Sequence, residues 1–186
     1  MPIVSPEIVT RDGFARLCIH RGLLGLAVEV GCLRGTFADV FLSQWPGWVL
    51  VSIDPWQPIG DYQYDRRTDL QFALHRLAKH GDRIDLQPEV DSEELAERIC
   101  RRYGKPQFVF LDGDHTREGT ARSIGIWWRR LADNGIFAGH DYCAAFPGVV
   151  EAVDEFAHEN DLTLYLSHDV QFTSWYVYKD LSLIHI

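Results

Sequence analysis

Eight side chains able to do acid-base or metal chemistry fall at the ends of apolar runs in this sequence: Glu29, Asp54, Asp91, Asp112, Asp114, His115, His140 and Asp141. Carboxylates accept hydrogen bonds from hydroxyl and ammonium groups and hold hard cations. Imidazoles titrate near neutral pH, so they can take a proton or ligate a transition metal. Two groups separate along the chain. Glu29, Asp54 and Asp91 belong to the first half and suit the holding of a polar ligand. Asp112, His115, His140 and Asp141 belong to the second half and suit chemistry.

The element that positions the first group is the stretch Val28-Glu29-Val30-Gly31-Cys32-Leu33-Arg34-Gly35. An apolar run from Leu23 to Val30 reads as a buried strand, and the glycines turn it into the helix opening at Thr36. Glycine tolerates positive φ, and its missing Cβ lets another group approach the backbone. The spacing E-x-G-x-x-x-G is not the G-x-G-x-x-G of a dinucleotide site, and Glu29 would repel a pyrophosphate. It suits a ligand with an ammonium group and hydroxyls, although an ordinary strand-turn-helix junction reads the same way. A second buried strand, Trp48 to Ile53, delivers Asp54, an acid placed to accept two hydrogen bonds from ribose hydroxyls, although a solvent-facing loop aspartate before Pro55 reads the same way.

The rest of the chain alternates in the same manner. Ser5-Pro6-Glu7 reads as a helix start, and Phe14, Leu17 and Cys18 form the face of a following helix. Phe37, Val40 and Phe41 mark a helix ended by Trp45-Pro46-Gly47; Leu70, Ala73, Leu74 and Leu77 mark the next. A short strand over Ile84 to Gln87 precedes a helix with Leu95, Ala96, Ile99 and Tyr103 inward. Gln107 to Leu111 is a strand ending on Asp112-Gly113-Asp114-His115, and Ile136 to Gly139 one ending on His140-Asp141-Tyr142. Helices with Ala121, Ile124, Trp128 and Leu131, and with Val149, Val153 and Phe156, follow these strands. Leu162 to Leu166 and Gln171 to Tyr178 close the chain without an intervening helix. Such alternation predicts an α/β fold with a mostly parallel sheet covered on both faces, plus one antiparallel strand. In a sheet of that kind the strand C-termini share one edge, which brings the eight side chains to a common crevice.

The 186 residues fit one domain over 1–186, with an N-terminal helical segment at 1–22 and a core at 23–180. A net charge of -9 with no basic stripe argues against a nucleic-acid partner. Cys18, Cys32, Cys100 and Cys143 form no C-x-x-C pair and read as reduced thiols of a cytoplasmic protein. No apolar run is long enough to span a membrane. Self-association into a homo-oligomer stays open.

Four motifs in order, Val28 to Gly35, Ser52-Ile53-Asp54-Pro55-Trp56, Phe110-Leu111-Asp112-Gly113-Asp114-His115 and Ala138-Gly139-His140-Asp141-Tyr142, resemble class I S-adenosylmethionine-dependent methyltransferases. The branch they resemble is the small-molecule group with the macrocin-type sugar O-methyltransferases. The resemblance implies a Rossmann-like, doubly wound, seven-stranded sheet with an antiparallel last strand. It places Glu29, Gly31 and Gly35 around the methionine part of S-adenosylmethionine, with Thr36 helping at its carboxylate. Asp54 would hold the ribose, with Trp56 beside it, and Asp91 and Ser92 would line the adenine pocket.

Methyl transfer to a hydroxyl needs an aligned nucleophile and a proton acceptor, or a cation that lowers the hydroxyl pKa. In metal-dependent relatives, an acid after the fourth strand and two residues after the fifth hold a divalent ion. Those positions are Asp112, His140 and Asp141. An imidazole among them moves the preference from magnesium toward a transition metal, or argues against a metal. Without one, His140 or His115 could serve as the base; His115 could instead order the Asp112 turn. The leading expectation is O-methylation of a small hydroxylated molecule. A metal-dependent hydroxylase-like enzyme and a noncatalytic cofactor-binding protein are the alternatives. Substrate recognition falls to the loops Trp56 to Arg67, a lid or a plain surface loop, and Tyr142 to Pro147.

Overall fold

The computed structural model describes residues 2–57, 66–169 and 171–180. Strands Leu26–Val30 (β2) and Val49–Ile53 (β3) are buried at every position, as expected of parallel strands covered on both faces. With Ile3–Val4 (β1), Ile84–Gln87 (β4), Pro106–Leu111 (β5), Ile136–Gly139 (β6), Tyr165–Leu166 (β7) and Trp175–Tyr178 (β8) they form one eight-stranded sheet in the order β1-β7-β8-β6-β5-β2-β3-β4. β8 runs antiparallel to both neighbours; every other pairing is parallel.

Phe14–His20 (α1), Thr36–Gln44 (α2) and Arg66–Leu77 (α3) cover one face; Glu93–Tyr103 (α4), Arg117–Trp128 (α5) and Pro147–Glu159 (α6) cover the other. Alternate side chains of β5 divide between the two cores. Phe108 and Phe110 stack on Phe41 and Phe37, with centroids 5.1 Å and 4.0 Å apart, whereas Val109 and Leu111 join Trp127, Phe137 and Trp175. Truncating either buried phenylalanine to alanine removes on the order of 3–5 kcal/mol. Local signals fix the helix ends. Ser92 caps α4 by accepting from Leu95 N at 3.2 Å, acids fill its first turn and arginines its last, and Gly104 ends it at φ 86°.

The register places the site. Val30 pairs with Ile53 on one side and Leu111 on the other, and Leu111 pairs with Gly139. The residues that follow, Gly31, Asp54, Asp112 and His140, therefore lie level along the C-terminal edge. The strand order reverses between β2 and β5, where a doubly wound sheet opens its crevice.

The N-terminal segment departs from expectation. The seven expected strands are present, and Ile3–Val4 adds an eighth at the edge beside β7. Ser5-Pro6-Glu7 does not start a helix. The Ser5 hydroxyl accepts from Glu7 N and Ile8 N in a local turn and pairs with the Tyr176 hydroxyl at 2.8 Å. Main-chain bonds from Ser5 N to Leu166 O, His168 N to Ile8 O and Asp169 N to Val9 O strap residues 5–9 to the β7–β8 connection. A single 3-10 turn, Arg11–Gly13, leads into α1. The two final strands are also shorter than predicted. Ser167, Asp169 and Thr173 spend their side chains on nearby backbone groups, which competes with ladder pairing.

Candidate active site

On the β2 side the loop after Val30 is set by backbone conformation. Gly31 has φ 92°, and a Cβ there would lie 2.0 Å from the Asp112 carbonyl oxygen. Its smallness therefore admits the neighbouring Asp112-Gly113 backbone. Gly35, at φ 71°, packs the same way against Leu77 and precedes α2. Both oxygens of buried Asp54 accept backbone hydrogen bonds at 2.9 Å, Oδ2 from Leu33 N and Oδ1 from Trp56 N. Each oxygen retains lone-pair capacity for a further donor. Trp56 is itself buried and donates its indole N–H to Leu33 O at 2.7 Å, so it braces the loop.

Glu29 lies beneath this loop, fully enclosed, and accepts from the Ser52 hydroxyl. Burial outweighs that bond and pushes its carboxyl up to about 8. Burial likewise raises the Cys32 thiol, with the Glu29 and Asp54 carboxylates adding to the effect.

Several expected ligand-binding side chains are already engaged. Asp91 accepts from Ser123 Oγ at 2.6 Å and Trp127 Nε1 at 2.8 Å, so it ties the β4–α4 turn to α5. Burial raises its pKa against those two bonds. Ser92 is the α4 cap, and the Thr36 hydroxyl accepts from Arg76. Asp114 accepts from Thr116 N at 2.9 Å, and Thr116 caps α5 through Gly119 N. The ordering of the helix start thus falls to Asp114 and Thr116, which leaves His115 free to face the crevice. Residues 58–65, most of the expected lid, lie outside the described residues.

Across the β2–β5 crevice, four side chains meet. His115 Nε2 stands 2.9 Å from Asp141 Oδ2 and 3.7 Å from Asp112 Oδ1. His140 Nδ1 stands 3.0 Å from Asp141 Oδ1 and 3.8 Å from Asp112 Oδ1. Asp141 adopts φ 59°, a left-handed conformation that costs energy in a non-glycine residue and marks a constrained position. Asp112 and then Asp141 hold the His115 imidazole up, at about 9. Burial alone would raise Asp141, but the close imidazoles of His115 and His140 outweigh it and keep it well below the usual carboxylate range.

The donor geometry offers His115 as a candidate ligand beside the expected His140. One ligand atom from each of Asp112, His115 and Asp141 lies within 4.8 Å of the others. His115 Nε2 is buried yet makes no aligned hydrogen bond, its contact to Asp141 being ionic and off-axis. His140 Nδ1 makes a contact of the same kind to the other Asp141 oxygen. Two carboxylates with an imidazole fit a divalent transition metal better than magnesium.

Three further residues border this centre. Arg11, from the N-terminal 3-10 turn, donates Nη1 to Asp112 Oδ2 at 3.1 Å. Phe146 lies against His115, with centroids 4.5 Å apart, and Phe172 stacks on His140 at 6.3 Å. Phe146 falls within the loop expected to recognise substrate. Arg11 and Phe172 had no such signal, being isolated side chains brought in by long-range strapping.

A doubly wound sheet of this order, with an acidic glycine loop after its first core strand and a carboxylate-imidazole cluster at the crevice, defines the class I methyltransferase architecture. A family model described as a methyltransferase domain matches residues 28–142, more than half of the chain, and the chain belongs to that family. No curated protein sequence matches. Among solved structures, an O-methyltransferase from Bacillus cereus in complex with SAH shares 12% identity over 95% of this chain and 84% of its own, with a TM-score of 0.67. The O-methyltransferase TomG from Streptomyces achromogenes, involved in tomaymycin synthesis and in complex with SAM, shares 14% over 94% and 83%, at 0.66. A precorrin-6y C5,15-methyltransferase from Geobacter metallireducens shares 13% over 95% and 93%, at 0.64. At these identities the likeness concerns the fold. Among the described residues no helix is long and apolar enough to cross a membrane.

Proposed function

We propose that the protein transfers a methyl group from S-adenosylmethionine to an oxygen of a small hydroxylated molecule. The observation that carries this reading is the convergence of Asp112, His115, His140 and Asp141 opposite Asp54, across one crevice of a methyltransferase fold. Asp54, fixed by two backbone bonds, receives the ribose hydroxyls, and Gly31, Gly35 and Thr36 shape the loop that faces the methionine portion. Glu29 supports that loop from below. Asp91 and Ser92 stand at the adenine end, where they act by holding α4 and α5 in place.

The cofactor supplies an electrophilic methyl group, and the chain must align the acceptor oxygen and receive its proton. Asp141 lies between the two imidazoles; His115, raised to about 9, is a cation at neutral pH, which leaves the His140 ring to receive the acceptor's proton. A divalent ion, if bound by Asp112, His115 and Asp141, would lower the acceptor hydroxyl pKa. The TomG and Bacillus cereus neighbours support an oxygen acceptor, whereas the hydroxylase-like and noncatalytic readings gain no observation of their own. The test is calorimetry with S-adenosylhomocysteine, followed by incubation with radiolabelled S-adenosylmethionine and a panel of phenols, sugars and hydroxy acids. Binding with label transfer to an oxygen is the expected result; no binding would overturn the reading.

A further inference from the structure

Asp112 does not present both oxygens to the crevice. Oδ1 faces His115 and His140, whereas Oδ2 is held by the Arg11 guanidinium at 3.1 Å. Among the described residues this is the bond that ties the N-terminal turn to the reaction centre, and it spans 101 positions of sequence. Arg11 does not hold its own segment in place. That work belongs to the main-chain bonds of Ser5, Ile8 and Val9 and to the burial of Ile8 at 1% exposure. Arg11 itself is one-third exposed, with a side-chain accessibility of 32%. A permanently charged group is thus delivered to a carboxylate by a scaffold that does not need it.

The titratable groups around Asp112 are Arg11, Asp141, His115 and His140, with Glu29 beneath the loop. A guanidinium stays cationic at every accessible pH, so it neutralises one of the two carboxylates permanently. A divalent ion placed among Asp112, His115 and Asp141 would meet that positive charge across a single carboxylate, a few ångströms away.

We propose that Arg11 is an intramolecular counter-cation for Asp112: a positioning residue that fixes the carboxylate and lowers the affinity of the centre for a divalent metal. The proposal rests on the methyltransferase reading only for calling this centre the place of reaction. Arg11 supplies part of the charge that a metal would otherwise bring, and it limits Asp112 to one oxygen as a ligand. The centre is therefore balanced to work with little metal.

The test is a titration of the full chain with Mn²⁺, read as free Mn²⁺ by electron paramagnetic resonance, on wild type, Arg11→Gln, Arg11→Ala and Arg11→Lys. Calorimetry with S-adenosylhomocysteine runs in parallel. Removing the charge should tighten Mn²⁺ binding by about ten-fold, a partial screening of the Coulomb effect by solvent. Arg11→Lys keeps the charge and should stay within about three-fold of wild type. Unchanged or weaker binding in Arg11→Gln and Arg11→Ala, including no Mn²⁺ bound by any form, would overturn the proposal. So would an Arg11→Lys protein that behaves like Arg11→Gln, since that outcome follows from lost packing. Failure of wild type to bind S-adenosylhomocysteine would sink the methyltransferase reading and leave the Mn²⁺ comparison intact.

Discussion

Asp54 and Asp141 each follow a parallel strand and each is buried, yet they are held by different means. The Asp54 carboxylate is fixed by the N–H groups of Leu33 and Trp56, backbone donors that any side chain would leave in place. The Asp141 carboxylate is fixed by the imidazoles of His115 and His140, side chains from two different strand ends. The side of the crevice proposed for the cofactor is thus a matter of main-chain geometry, whereas the side proposed for the acceptor is a balance of side-chain charges. A family can keep the first while varying the second, which is how one fold comes to serve many acceptors.

Substitutions can break that contrast. The largest effect belongs to Asp141→Ala, which strands two imidazoles without their acceptor. Turnover with any acceptor found by screening should fall about 10²–10³-fold, with affinity for S-adenosylhomocysteine within about two-fold. Unchanged turnover would remove Asp141 from the chemistry. Next comes Glu29, whose raised carboxyl is protonated in the folded protein up to about 8. Its stabilising contribution is whole below the ordinary carboxylate range and is lost as pH rises through about 8. Between pH 5 and 8 wild type should lose on the order of 3 kcal/mol relative to Glu29→Gln, read from urea midpoints at the two pH values. Parallel pH profiles for the two proteins would show that the loop does not rest on a neutral acid. Smallest is Asp54→Ala. With the proposed pair of ribose bonds removed, affinity for S-adenosylhomocysteine should weaken about 30-fold by calorimetry, at unaltered turnover under saturation. A turnover defect at saturation would mean that the two sides of the crevice are not separable.

The same contrast explains what could be read from the chain. Strand ends at Val30, Ile53, Leu111 and Gly139 are marked by apolar runs meeting an acid, a histidine or a glycine, and the geometry of a parallel sheet then places them on one edge. Asp54 and Asp112 follow from that rule. β1 does not, because two exposed residues carry no period. Arg11 does not, because a lone arginine in a polar turn has no local pattern to announce its partner. The approach of His115 to both Asp112 and Asp141 comes from tertiary placement, and Asp91 spends its carboxylate on an indole and a hydroxyl of α5, three elements further on. Such outcomes are decided by tertiary packing.

The strap from Ser5 to Arg11 also has a meaning in time. Ile3 pairs with Tyr165 and Ser5 bonds to Leu166, so residues made early wait for partners made some 160 residues later. Contacts of such long sequence separation close late, because their loop entropy must be met by structure already formed. Arg11 sits between two anchors, the strap of residues 5–9 on the β7–β8 connection and Phe14 packed on Phe108 and Phe110 of β5. The counter-charge at Asp112 thus depends on contacts drawn from both ends of the chain, and loosening either end would loosen it.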